Sequence, residues 1–311
     1  VKQMESIGEM LKKAMADSLK DQERPAGAES AQELADRAIK DPDVQKFLKE
    51  HASELSKQAV QDSMTNICEF YLQKTSPVKA IADYQAELFM NGPLIGVRYL
   101  PTAAKRQRDE ERAAESRIEL IDMPKKLRRI TLTDLDKGDP GRNAALLAVG
   151  KFLDEYEKHH TAKGLYLTGD FGVGKTYIMA GLANRVAKNG GKVIFLHLPT
   201  FISGLSSHFS DNSLQREIQR VASCDVLILD DIGAETLSQW SRDDVLGVIL
   251  QARMDNDLAT CFTSNMEMDD LEDHFASTKN AVDPVKAARL MQRVRYLAKE
   301  IIVTGRNRRL N

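Results

Sequence analysis

From Gly164 onward, short apolar runs alternate with longer stretches in which apolar residues recur every three or four positions. The runs at 165–168, 193–198, 226–229, 259–264 and 301–304 have strand length, and the stretches between them have helical period. Strands that are apolar on both faces belong in a covered sheet. The pattern therefore predicts an α/β domain, a mostly parallel sheet with helices on both faces.

The first third of the chain has a different rhythm. Residues 1–62 are polar with helical spacing. Asp41-Pro42-Asp43 starts a helix in which Val44, Phe47 and Leu48 repeat, and 52–72 gives another helical pattern. The stretch 22–30, with Pro25, Gly27, Glu23 and Glu29, reads as a mobile loop. Near Leu88 the period shortens. Leu88-Phe89-Met90 and the run 94–100 flank Asn91-Gly92 and predict a hairpin, with Pro93 complicating the pairing. The mixed charges of 105–117 predict a solvated helix with i,i+4 ion pairs, ended by Pro124. The cations Lys125, Lys126, Arg128 and Arg129 follow, then a Gly- and Pro-containing stretch at 136–142. We place the boundary at 123–143. This gives a mainly helical N-terminal domain with a small hairpin at 1–125, a linker at 126–143 and the α/β domain at 144–311.

The length of 311 residues agrees with two domains. The net charge of −2 argues against coating nucleic acid by bulk charge. No apolar run approaches the ~18 residues of a membrane span, and no signal peptide opens the chain. Cys68, Cys224 and Cys261 lie far apart and form neither a disulfide framework nor a metal knuckle. A soluble cytoplasmic protein is the expectation. Val1 stands where Met is expected, as a literally translated alternative start codon or a trimmed chain would give.

Gly169-Asp170-Phe171-Gly172-Val173-Gly174-Lys175-Thr176 satisfies the P-loop pattern, with a strand before it and an amphipathic helix from Tyr177 after it. Glycines let the loop turn its N–H groups toward phosphate oxygens, and the helix N-terminus adds partial positive charge. Lys175 neutralises the β- and γ-phosphates of ATP, and Thr176 offers its hydroxyl to Mg²⁺. Val226-Leu227-Ile228-Leu229-Asp230-Asp231 is a buried strand ending in two carboxylates. Unpaired buried acids are costly, so the pair points to a site. Asp230 is the Mg²⁺-holding acid, and Asp231 orients or deprotonates the attacking water. Asn265, after the next apolar strand, is placed to hold that water. Arg289 and Arg293 share one helix face. We read Arg293 as an arginine finger that reaches a neighbour's nucleotide, with Arg289 as its partner or substitute. Arg306, Arg308 and Arg309 reach nucleotide or DNA, or form a free basic tail.

Together these segments resemble the AAA+ ATPases of the initiator and helicase-loader branch, and more closely the DnaI-type bacterial replicative-helicase loaders of the DnaC/DnaI family. Gly164-Leu-Tyr-Leu, the P-loop, Leu229-Asp-Asp-Ile-Gly-Ala-Glu235, Trp240-Ser-Arg-Asp-Asp, Phe262-Thr-Ser-Asn265 and Ala288-Arg-Leu-Met-Gln-Arg-Val carry the resemblance. Asp41-Pro-Asp-Val-Gln-Lys-Phe-Leu48 extends it toward the N-terminus. The resemblance implies a slow, assembly- or DNA-stimulated ATPase, a primosomal protein. Its N-terminal domain grips the hexameric, DnaB-type replicative helicase. Its ATPase domain self-associates, binds single-stranded DNA and delivers the helicase onto it in replication initiation or restart. Several such proteins carry a Cys/His zinc site in the N-terminal domain. Here 66–105 holds only Cys68 and no histidine, so no zinc site is expected, and Phe70, Tyr71, Phe89 and Tyr99 are left to hold the hairpin by packing.

Two other readings fit parts of the chain: a transposition ATPase similar to IstB, and a helicase-binding adaptor with a merely structural nucleotide site. Lys125, Lys126, Arg128 and Arg129, and separately Arg216 and Arg220, are candidate phosphate contacts for DNA but read better as solvated faces. His159, His160 and His197 show no ligand pattern, and Trp240 reads as a packing residue.

Overall fold

A computed structural model describes residues 31–77, 79–135, 139–205, 213–235, 237–278 and 282–308. The helical readings at 1–30, the loop at 22–30 and Arg309 lie outside them. The chain forms two compact units, Val1–Asp109 and Glu110–Asn311.

In the first unit, helices α1 (Ala31–Lys40), α2 (Pro42–Glu50), α3 (Lys57–Asp62) and α4 (Met64–Thr75) precede strands β1 (Tyr84–Asn91) and β2 (Leu94–Pro101). Asp41 caps α2 by accepting from Asp43 N at 2.9 Å, and Pro42 at the first turn lacks only an N–H that would have no helical partner. Ile67 and Phe70 of α4 meet Leu88 and Ile95 of the hairpin in a small core. Two polar bonds fix the register of helix on strand. Asn66 Nδ2 donates to Ile95 O at 2.8 Å, and Ile95 N donates to Ser63 Oγ at 2.8 Å. The turn sits one residue later than the sequence reading placed it. Asn91 pairs with Leu94, so Gly92 (φ 60°) and Pro93 are the central residues, where the missing proline N–H costs no ladder bond. Of the four aromatics expected to pack the hairpin, Phe70 is buried and Tyr71 packs against the core. Phe89 and Tyr99 are half-buried: the Phe89 ring lies over Gly96 of the paired strand and under Arg98, and Tyr99 OH donates to Glu69 of α4.

Helix α5 (Ala103–Ser116) carries the chain from the first unit into the second. The second unit contains β3 (Ile118–Ile121), α6 (Pro140–His159), β4 (Gly164–Thr168), α7 (Lys175–Lys188), β5 (Val193–His197), α8 (Leu198–Leu205) and α9 (Ser213–Ser223). It continues with β6 (Val226–Asp230), α10 (Gly247–Asp255), β7 (Ala259–Ser264), α11 (Met268–Ala276), α12 (Pro284–Leu297) and β8 (Ala298–Ile302). The six strands are ordered β3-β5-β6-β7-β4-β8 and every pairing is parallel. One face is covered by α6 and α7, the other by α8 to α12.

Three sequence expectations change here. The unit boundary falls at Asp109/Glu110 rather than in 123–143, because Ile118 to Ile121 join the sheet beside β5. The expected linker at 126–143 is folded: Leu127 and Leu135 are buried with α6 and α7, Asn184 Nδ2 donates to Leu127 O at 2.9 Å, and α6 starts at Pro140. The last strand occupies Ala298–Ile302 rather than 301–304, since an edge strand tolerates Lys299 and Glu300 in its alternation. Among the described residues no helix is long and apolar enough to cross a membrane.

A fully buried arginine ties the lower edge of the sheet. Arg253 of α10 donates to Cys224 O at 2.9 Å, Ala222 O at 3.1 Å, Ala259 O at 2.6 Å and Thr260 Oγ1 at 2.7 Å. These are chain segments that lead into β6 and β7. Burial in this carbonyl cage pulls its pKa down from the usual guanidinium value.

Candidate nucleotide-binding site

Parallel strands deliver their C-terminal ends to one edge of the sheet. There the β4–α7 loop, Asp230 and Asp231 after β6, and Asn265 after β7 meet around a cavity of about 940 Å³. Gly169, Gly172 and Gly174 all have positive φ, at 143°, 80° and 101°, so the loop takes a path that L side chains resist. Val173 is buried and anchors the loop in the core, while Lys175 and Thr176 open α7. Tyr177 faces the cavity under the Lys126 ammonium, 5.6 Å from the ring centre.

The polar groups converge tightly. Lys175 Nζ donates to Gly169 O at 2.6 Å, Asp170 O at 3.0 Å and Asn265 Oδ1 at 2.7 Å. Thr176 Oγ1 donates to Asp230 Oδ1 at 2.9 Å, and Thr263 Oγ1 donates to the same oxygen at 2.6 Å. Burial pushes the Asp230 carboxyl above its ordinary value; the neighbouring Asp231 charge adds to this, and the two hydroxyls oppose it. Asp231 sits in the left-handed region at φ 59°, held there by its N–H donating to Thr263 Oγ1 at 3.0 Å. Its Oδ2 lies 3.7 Å from His197 Nε2, and His197 Nδ1 is 2.7 Å from Thr200 Oγ1.

This donor set fits a nucleoside polyphosphate with a divalent cation. A lysine and glycine-loop amides meet phosphate, and a hydroxyl hydrogen-bonded to a buried carboxylate forms a pair of hard oxygen ligands for Mg²⁺. Among the described residues no group of three or more His, Cys, Asp or Glu side chains could hold a metal ion by itself.

The predicted residues divide cleanly. Gly169, Gly172, Val173, Gly174, Lys175, Thr176, Tyr177, Asp230, Asp231 and Asn265 are brought together. Arg289 and Arg293 do not line this cavity. Arg289 is exposed on α12, and Arg293 Nη1 donates to Gly247 O at 3.1 Å. Arg308 does line it, whereas Arg306 is exposed. Arg220 is paired with Glu119 and Glu217, in keeping with a solvated face, and Trp240 packs against the core. Sequence reading missed Arg142 and His197 as site residues; neither lies in a spaced motif. Thr263, inside the Phe262-Thr-Ser-Asn265 segment, holds both acids, donating to Asp230 Oδ1 and accepting from Asp231 N.

A P-loop and an acid-tipped strand on a parallel sheet, with another strand between them, define an ATP-binding protein of the AAA+ class. Residues 4–99 match the family model of the primosomal protein DnaI N-terminus, and residues 102–311 match that of the IstB-like ATP binding proteins. The chain is 34% identical over 296 residues to the replicative helicase loader DnaI of Bacillus subtilis (strain 168), covering 92% of this chain and 95% of that protein. It belongs to the DnaI family of helicase loaders. A crystal structure of DnaI is 42% identical with a TM-score of 0.55, over 63% of this chain and 98% of that one. A shorter likeness, 31% over 68 residues, links it to the chromosomal replication initiator protein DnaA of Campylobacter jejuni, covering 22% of this chain and 16% of that one.

Proposed function

We propose that this chain is an ATP-hydrolysing helicase loader. It binds the hexameric replicative helicase through its first unit and delivers it onto single-stranded DNA with its second. The observation that carries the ATPase part is the shared anchor of the two acids. Thr263 fixes both the Asp230 carboxylate and the Asp231 backbone, while Thr176 and Lys175 approach from the P-loop.

In this reading the P-loop amides and Lys175 bind the β- and γ-phosphates and neutralise charge that grows as the γ-phosphoryl group departs. Thr176 and Asp230 are the residues that would hold Mg²⁺, which when bound screens the same phosphate oxygens. Asn265, on Lys175, orients the attacking water. Asp231 accepts its proton, with the His197–Thr200 pair steadying the carboxylate. Arg293, with Arg289 beside it, serves a neighbouring copy's nucleotide, so turnover is slow in the isolated chain and rises on assembly or on DNA. The match over 4–99 favours a loader over a transposition ATPase, a reading that rests on the second unit alone.

Phosphate release from the full chain tests this, with Lys175→Ala and Asp231→Asn alongside. Lys175→Ala is expected to lose ATP binding. Asp231→Asn is expected to bind ATP and lose turnover. Wild-type turnover in Asp231→Asn would overturn the assigned role, and full loading activity in Lys175→Ala would favour a nucleotide-independent adaptor.

A further inference from the structure

After β8 the chain runs across the P-loop instead of leaving the domain. Val303 N donates to Thr168 O at 2.7 Å, Thr304 N to Gly141 O at 3.1 Å and Arg308 N to Gly172 O at 2.9 Å. The loop glycines make room for it. A Cβ at Gly169 would stand 2.0 Å from Val303 O, and one at Gly172 would stand 2.0 Å from Asn307 Oδ1. The far end is tied to Asp139, the cap of α6. Its carboxylate accepts from Gly141 N at 3.1 Å and from Arg308 Nη2 at 3.3 Å. The Arg308 side chain thereby joins the cavity wall. Arg142, 2% exposed, joins it from α6, its guanidinium beside Gly174, where a Cβ would stand 3.3 Å from Nη2.

Two physical consequences follow. A loop rich in positive-φ glycines has little conformational preference of its own, so its shape depends on what braces it. Here the brace is residues 303–308. Second, two arginine side chains, Arg142 and Arg308, line the cavity that the P-loop reading gives to phosphate. Planar forks of donors suit phosphate oxygens well, and the Arg308 contact to the Asp139 carboxylate is a long one at 3.3 Å.

We propose that 303–308 is a strap belonging to the nucleotide site: it braces the P-loop, and Arg308, together with Arg142, binds the polyphosphate. The inference rests on the P-loop reading above. Nucleotide exchanges Arg308 from Asp139 to phosphate, and the strap tightens when the site fills.

Fluorescent ATP and ADP titrated into the full chain test it, with Arg308→Ala, Arg308→Lys and Lys175→Ala as variants. Arg308→Ala is expected to weaken ATP on the order of tenfold or more, the worth of a charge-assisted bond to phosphate. Lysine is expected to restore only part, since a point charge lacks the fork. Limited trypsin digestion of the unmodified chain gives a second readout that needs no variant. ATP is expected to protect the bonds after Arg306 and Arg308, and to give no protection in Lys175→Ala. Wild-type binding with Arg308→Ala within twofold of it, or cleavage of the strap unchanged by saturating ATP, would overturn the inference. A wild-type chain that binds no ATP would instead remove the P-loop reading, and the strap inference with it.

Discussion

Glu235 lies four residues beyond Asp231, is 6% exposed and accepts from Gly233 N at 3.1 Å, with its own N–H and that of Ala234 also favouring the charged carboxylate. Its other oxygen is buried with no hydrogen-bond partner among the described residues. Burial pushes its carboxyl from 4.5 up to about 7, with a smaller push from the Asp231 charge. Between 4.5 and about 7 the folded chain keeps a proton that the unfolded chain has lost. The stabilising contribution is therefore full below 4.5 and lost as pH rises through about 7. The whole swing is about 3 kcal/mol, of which about 1.3 kcal/mol falls between pH 6 and 8. Glu235→Gln keeps the acceptor for Gly233 and removes the titration. The assay is urea unfolding of the second unit, read by Trp240, the single tryptophan of the chain. With a slope of about 2–3 kcal/mol per molar, the gap between wild type and variant is expected to shift by about half a molar in the variant's favour from pH 6 to pH 8. Parallel midpoints across that range would refute the assignment of a protonated buried Glu235.

Thr263→Val removes the donor to Asp230 and the acceptor for Asp231 N while keeping shape. Turnover is expected to fall by about tenfold or more with nucleotide affinity largely kept, checked by steady-state hydrolysis beside a binding titration. Arg253→Met strips four buried acceptors of their donor; at about 1–3 kcal/mol for each group left unsatisfied, the urea midpoint of the second unit is expected to collapse. Arg293→Ala is expected to leave basal hydrolysis by the dilute chain unchanged and to abolish stimulation on assembly, an effect of about 10³–10⁵ for a full arginine finger; a normal response to DNA would count against the trans role.

The site was legible where chemistry forces spacing. A phosphate loop needs glycines, lysine and a hydroxyl in one short run, and a buried strand has little reason to end in Asp230-Asp231 unless they work. The covered strands were legible too, since Val226 to Leu229 are apolar on both faces. What sequence missed lies at edges and in trans-element contacts. Ile118-Glu119-Leu120-Ile121 is too short beside a charged helix to announce a strand, yet it moves the unit boundary. Arg142 and His197 reach the cavity only because α6 and β5 are brought to one edge of the sheet, a juxtaposition that no local pattern encodes, whereas Arg308, offered by the sequence for nucleotide or DNA, does reach it.

The central claim is that an ATP-binding chain of this family grips a replicative helicase. Size-exclusion with light scattering of the full chain, mixed with the hexameric replicative helicase of the same cell, with and without ATP, tests it most directly. The account predicts a complex of fixed stoichiometry whose mass includes the whole hexamer. Separate elution of the two proteins in every nucleotide state would contradict it, and would leave the transposition ATPase as the reading to pursue.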